Sequence, residues 1–231
     1  MTAALAWMAE GQDYFLSCLK EIGDEELEGP SRLPGWTGRH VLSHVGHNAR
    51  ALARLARWAE TGEPTPMYPD TTARAQEIET GATWPADRLR AFVVAEQALL
   101  TASLDRIPPD RRAAPVVTAQ GRTVPASAIG WLRSRELWIH ACDLPSGGDF
   151  AAFPPTFLDA LIADALDRRR AAQSVDIDVV VTDRATAAGQ RGVERVDGPA
   201  VDLARWLTRG ERSPRLRAGD GAALPALPPW L

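Results

Sequence analysis

In the first two thirds of the chain, apolar residues recur every three to four positions in four long segments, each ending at a cluster of turn-forming residues. The spacing predicts a first helix from Ala3 to Leu27, before "EGPSRLPG", and a second from Trp36 to "TGEPTP". A third covers Pro85 to Ile107, with a shorter helical piece ahead of it. "IPPDRRAAPVVTAQGRTVP", with its turn residues and short apolar runs, reads as a loop, and a fourth helix runs from Ala126 to Asp143. Four long amphipathic helices joined by loops predict a bundle, and bundles build their sites between facing helices.

The pattern then changes. "LPSGGDFAAFPP" is a Gly/Pro-rich break of the kind that separates domains, which puts a bundle in residues 1–148 and a second unit in 149–231. The second unit reads as a helix from Thr156 to Ala172 and a strand in "VDIDVVVTD". A strand around "RGVERVDG", a helix in "PAVDLARWLTRG" and a short strand near "RLRAG" follow. The whole is therefore an α+β chain: an N-terminal four-helix bundle followed by a small C-terminal α/β domain. The tail "LPALPPWL" is extended and is expected to pack as a strap through Trp230 and Leu231.

Composition narrows the function classes. A length of 231 residues at 45% hydrophobic supports one good core or two modest ones. The net charge of −4 and a pI near 5.6 offer no basic face for nucleic acid or an anionic membrane surface. No uninterrupted apolar run reaches the ~18 residues that cross a bilayer. Two cysteines, Cys18 and Cys142, are too few for a disulfide framework, and "MTAALAWMAEGQDYF" lacks the basic start of a signal peptide, so a reducing cytoplasm is expected. A monomer is expected.

Three of the four histidines, His40, His44 and His47, fall in "GWTGRHVLSHVGHNARALARL". At 100° per residue, with His40 at zero, His44 lies near about 40° and His47 near about −20°. The apolar residues Val41, Val45 and Leu52 cluster near about 100–140°. His44 is thus the most inward, and His40 and His47 sit nearer the edge of the core, where solvation of His47 is expected.

The fourth histidine lies in "RELWIHACDL", where Glu136 and His140 stack one turn apart within reach of Ile129, Leu132 and Leu144 on the apolar stripe. A carboxylate there needs a proton, a cation or a metal. Together with His44, the pair makes a two-nitrogen, one-oxygen set suited to Zn²⁺ with a fourth position open. A hydrogen-bonded core pair is the alternative at this point. Asp143, three residues beyond His140, either orients that histidine or serves as a cap or solvated residue. Cys142 falls on the opposite side of the helix from His140, and Cys18 reads as a core thiol beside Phe15 and Leu19.

"LPGWTGRHVLSHVGHNARAL" followed by "RSRELWIHACDL" resembles the mycothiol-dependent maleylpyruvate isomerase family, a branch of the DinB-like metal-binding four-helix bundles. The H-V-x-x-H step, the R-E-x-x-x-H-x-x-D-L helix end, "WLTRG" and the "LPPWL" tail carry the resemblance across most of the chain. It implies that His44, Glu136 and His140 hold a divalent metal, usually zinc, that His40 is not a ligand, and that the C-terminal domain helps to bind mycothiol through an arginine. Here the family's Trp-Leu-x-Gly-Arg is Trp206-Leu207-Thr208-Arg209-Gly210, so Arg209 is the candidate and Arg212 its nearest substitute.

The implied activity is zinc-dependent isomerisation of maleylpyruvate to fumarylpyruvate, a step of aromatic degradation. A metal-bound mycothiol thiolate adds to the cis double bond, the resulting single bond rotates, and expulsion of the thiolate leaves the trans isomer. The dianionic substrate calls for arginines, and Arg133, Arg135 and Arg209 are the candidates. Two other readings stand beside this one: a mycothiol S-transferase on the same zinc site, and a non-catalytic metal-binding stress or regulatory protein. The second of these conflicts with a site lacking a fourth protein ligand.

Overall fold

The helical period of the first two thirds folds, in a computed structural model, as α1 (Ala3–Lys20), α2 (Asp24–Glu28), α3 (Gly38–Thr61), α4 (Ala73–Ala82), α5 (Ala86–Asp105) and α6 (Ile129–Asp143). The structure describes residues 2–172, 177–184 and 194–228, and the expected strap at Trp230 and Leu231 lies outside them. Two units divide the chain, Met1–Gly148 and Asp149–Leu231. In the first, α1, α3, α5 and α6 form the four-helix bundle; α1 packs on α6, α3 on α5, and α4 lies against α3.

Two segments differ from the sequence expectation. The first helix stops at Lys20, and Asp24–Glu28 starts afresh after Gly23. The acidic run Asp24-Glu25-Glu26 sits in the first turn of α2, where carboxylates face the positive end of the helix dipole, so it marks a start and not a continuation. The loop after α5 contains an antiparallel hairpin, β1 (Pro115–Val117) with β2 (Thr123–Pro125), in which Val116 pairs with Val124. Its strands are too short to show a period of two in the sequence. Val116 is buried there against the lower end of α3.

The bundle is dry along two apolar clusters, one around Phe15, Leu27, Val41, Val45, Leu89 and Leu137, the other around Leu52, Leu55, Leu100 and Ile129. Between them lies Arg133 of α6, fully buried. Its Nε donates to Gln97 Oε1 at 2.8 Å, and its Nη1 donates to the Val45 carbonyl at 2.8 Å and to Asn48 Oδ1 at 2.9 Å. One guanidinium so bonds α6 to α5 and α3, and its burial lowers its pKa to about 10. Arg133 is therefore a tie inside the bundle and is removed from the substrate-clamp candidates. Arg135 is buried too, with its guanidinium 6.0 Å from the Trp131 ring.

The second unit has α7 (Pro155–Ala171) packed on α8 (Ala200–Arg209), with a three-stranded sheet in the order β3 (Ile177–Val181), β4 (Glu194–Gly198), β5 (Arg217–Ala218). β3 and β4 are parallel, with Val179 opposite Val196, and β4 and β5 are antiparallel. Phe157, Leu161, Val196, Leu203 and Trp206 are buried in its core. Residues 175–176 and 191–193 of the two expected strands lie outside the described residues. No helix among the described residues is long and apolar enough to cross a membrane.

The Phe92 ring of α5 packs so closely on Gly46 of α3 that a β-carbon there would fall 2.3 Å from it. Gly46→Ala is expected to destabilise the protein by about 1–3 kcal/mol through overpacking, read as a lowered urea midpoint. Phe92→Leu in the Gly46→Ala background is expected to recover part of it. An unchanged midpoint in the single variant would contradict the close approach.

Candidate metal centre

The site begins with the Leu33-Pro34-Gly35-Trp36 turn. Gly35 has φ +79°, a conformation that L side chains resist, and the turn closes with the Trp36 N–H donating to the Leu33 carbonyl at 3.0 Å. Thr37 then caps α3. Its N–H and its hydroxyl both donate to His40 Nδ1, at 3.2 and 2.8 Å, so that nitrogen is an acceptor occupied by the helix start. His40 Nε2 lies 3.5 Å from a Glu79 oxygen. This histidine is a capping residue.

One turn on, His44 is 3% exposed and points between α3 and α6. Its Nε2 lies 2.9 Å from Glu136 Oε2, across a separation of 92 residues. His140 Nε2 lies 3.3 Å from the same oxygen, and the two imidazoles meet edge to face at 4.7 Å between centroids. One ligand atom from each of His44, Glu136 and His140 lies within 4.8 Å of the others, and the Trp36 ring stands 5.5 Å from that of His44. The sequence-predicted triad is thus brought together, by one helix that supplies a histidine and another that supplies a pair at i, i+4.

Burial and bonding divide the protons among these groups. Burial pushes the His44 imidazole down to about 4, against the opposing pull of Glu136. Glu136 is held well below the usual carboxylate range, because the bonds from His140 and His44 outweigh the burial that would raise it. His140 is half-buried and desolvation would lower its pKa, yet Asp143 and Glu136 raise it. Asp143 Oδ2 lies 2.8 Å from His140 Nδ1, and Asp143 is itself buried. Of the two roles open to Asp143 in the sequence, orienting His140 is the one the fold uses: a carboxylate on Nδ1 turns Nε2 toward the triad.

Other expectations are corrected. His47, expected to be solvated, is 4% exposed, because α4 covers that face of α3: its ring lies 4.8 Å from the Phe92 ring and 5.9 Å from that of Trp84, and its Nδ1 is 3.4 Å from Glu77 Oε2. Cys18 is half-buried beside the core and not within it, and Cys142 is buried with its thiol 3.7 Å from the Trp138 carbonyl. Arg209 and Arg212 lie in the second unit; Arg209 ends α8, and Arg212 follows Gly210 and donates to the Leu224 carbonyl at 3.1 Å.

Sequence reasoning missed three groups at the triad. Arg74, in the first turn of α4, places Nη2 3.5 Å from His44 Nδ1. Tyr68, on the preceding loop, is half-buried, and its phenol is pushed up to about 12 by burial, with Arg74 pulling it down and Glu136 and Glu77 adding to the rise. Trp36 was placed only as a helix start. Their signal is weak because a loop and a short helix carry no long period.

The chain is similar to known proteins in both sequence and structure. Residues 8–145 match the family described as the mycothiol maleylpyruvate isomerase N-terminal domain. A crystal structure of the mycothiol-dependent maleylpyruvate isomerase is similar at 33% identity and a TM-score of 0.88, covering 98% of this chain and 95% of that one. A histidine-to-alanine mutant of the mycothiol-dependent maleylpyruvate isomerase is similar at 32% identity, with the same TM-score and coverage. A comparison with curated proteins finds no match. With its bundle matched at the level of sequence and nearly its whole length matched in structure, the chain belongs to the mycothiol-dependent maleylpyruvate isomerase family.

Proposed function

We propose that this chain is a metal-dependent, mycothiol-using cis-trans isomerase that converts maleylpyruvate to fumarylpyruvate, with His44, Glu136 and His140 as the ligands of a divalent ion. The observation that carries the reading is the donor set: two imidazole nitrogens and one carboxylate oxygen converge within 4.8 Å, and no fourth His, Cys, Asp or Glu among the described residues joins them. Three protein ligands of this kind fit zinc with one position left for an exogenous group. The protonation pattern fits as well, since His44 is neutral and Glu136 ionised near neutral pH.

When bound, the metal and mycothiol together supply a thiol nucleophile whose reversible addition to the cis double bond permits rotation before it leaves. The protein's own residues do the rest. Asp143 fixes the His140 ring by its Nδ1, and the apolar packing of α3 and α6 holds His44 and Glu136 facing each other. Trp36, anchored by its turn, covers His44 and restricts water there. Arg133 keeps α3, α5 and α6 in register one turn from Glu136.

Purified protein is expected to hold about one zinc per chain by elemental analysis. His44→Ala and Glu136→Ala are expected to abolish both metal and turnover, whereas His40→Ala, a change to the cap, retains the metal; loss of metal only in His40→Ala would reverse the ligand assignment. Asp143 and Glu136 raise the pKa of His140, so protons compete with zinc for its nitrogen, and affinity falls as the pH falls. Calorimetry in buffers of different ionisation enthalpy is expected to show proton release on zinc binding that grows as the pH is lowered. The activity itself is tested with mycothiol and maleylpyruvate, following fumarylpyruvate, beside a panel of electrophiles; turnover of the panel alone would make the chain a transferase.

A further inference from the structure

The carboxylates of a dianionic substrate need a cation at the triad, and the two arginines of α6 proposed for that task from the sequence are buried in the bundle. Among the described residues, a cation that does reach the triad is Arg74. Its guanidinium stands 3.5 Å from His44 Nδ1, at the far limit of a hydrogen bond, so the contact is a weak one and leaves most of the guanidinium donors unused.

The carboxylates near it are committed elsewhere. Glu77, three residues along α4, faces Arg54 at 3.5 Å and His47 at 3.4 Å, and Glu136 is taken by the two histidines. Among the described residues Arg74 has no carboxylate within ion-pair distance. Its chain carries it above the surface of α4 while its head reaches one of the most deeply buried polar groups of the bundle.

Arg74 is also held there by construction. Asp70 Oδ1 accepts from the Thr72 N–H at 2.8 Å, the Thr72 hydroxyl at 2.7 Å and the Ala73 N–H at 2.9 Å, which fixes the start of α4 one residue before Arg74. Arg54 donates to the Met67 carbonyl and pins the loop beside it. That loop carries Tyr68, whose ring packs on the lower apolar cluster and whose hydroxyl has no protein hydrogen bond among the described residues. A guanidinium whose contact to His44 is weak and a phenol that it influences electrostatically supply, on α4 and the loop before it, N–H and O–H donors of the kind that bind a carboxylate.

We infer that Arg74, assisted by the Tyr68 hydroxyl, is the group that binds a carboxylate of the substrate at this site and selects small dicarboxylates over neutral electrophiles. The inference rests on the anionic substrate of the proposed reaction. Arg74 touches the substrate and no metal, so its loss spares the metal centre.

The test compares the zinc-loaded protein with Arg74→Ala, Arg74→Lys and Tyr68→Phe. Maleate, a cis dicarboxylate, serves as the probe in calorimetry without mycothiol, beside kinetics with maleylpyruvate and mycothiol and elemental analysis of each variant. Arg74→Ala is expected to weaken maleate binding and to raise KM for maleylpyruvate roughly 10- to 100-fold, the range for loss of a charged hydrogen bond, with about one zinc retained. Arg74→Lys is expected to recover part of the loss and Tyr68→Phe to show a smaller one. Unchanged maleate affinity and KM in Arg74→Ala, or no maleate binding by the unaltered protein, overturns the inference. Maleate binding that depends on Arg74 in a protein that does not turn over maleylpyruvate sinks the isomerase reading alone, and turnover with binding indifferent to Arg74 sinks this inference alone.

Discussion

A half-buried carboxylate on the inner face of a helix bundle governs the first unit. Glu136 lies on the inner face of α6, where an ionised oxygen without partners would cost several kcal/mol. It escapes that cost because two imidazoles, one from its own helix and one from α3, meet the same oxygen. The chain has to hold α3 and α6 at a fixed separation for this to work, and the rest of the bundle can be understood from that demand. Arg133 crosses the interior one turn away to bond three helices, and apolar clusters lie to either side.

The three ionisable groups share protons unequally, and this division follows from what lies behind each. Behind His140 stands Asp143, which with Glu136 raises its pKa against the effect of desolvation; behind His44 stands Arg74 in place of a carboxylate, and burial lowers its pKa to about 4. Two histidines that look equivalent in the sequence thus differ through the partner on the far side of the ring. The same logic separates the three histidines of α3: His40 is consumed by the helix cap, His44 by the triad, and His47 by the cover that α4 places over it.

Much of this was legible in the chain. The helical period and its Gly/Pro stops located α3, α5 and α6 to within a few residues, since long amphipathic helices repeat the same signal many times. His44, Glu136 and His140 could be put on inward faces by counting turns, because the two that share a helix are four apart and the third lies near the apolar stripe of its own. His47 was misjudged because a single helix wheel shows only its own core face, and α4 buries a second face that the α3 period does not record. Arg133 was misjudged for a related reason. A cation on an apolar stripe reads the same whether it lines a cleft or bonds carbonyls in the interior.

The sequence by itself determined the long helices, the break between the two units and the residue types capable of holding a metal, because these depend on local spacing and on intrinsic chemistry. Only the tertiary structure decided which side chains meet. Glu136 and His44 are 92 residues apart, and their 2.9 Å contact exists because the packing of α3 and α6 closes that interval in space. Arg74 and Tyr68 reach the triad from a loop and a short helix with no period to announce them, for the same reason: proximity across elements is set by packing and leaves no mark on the spacing within either one.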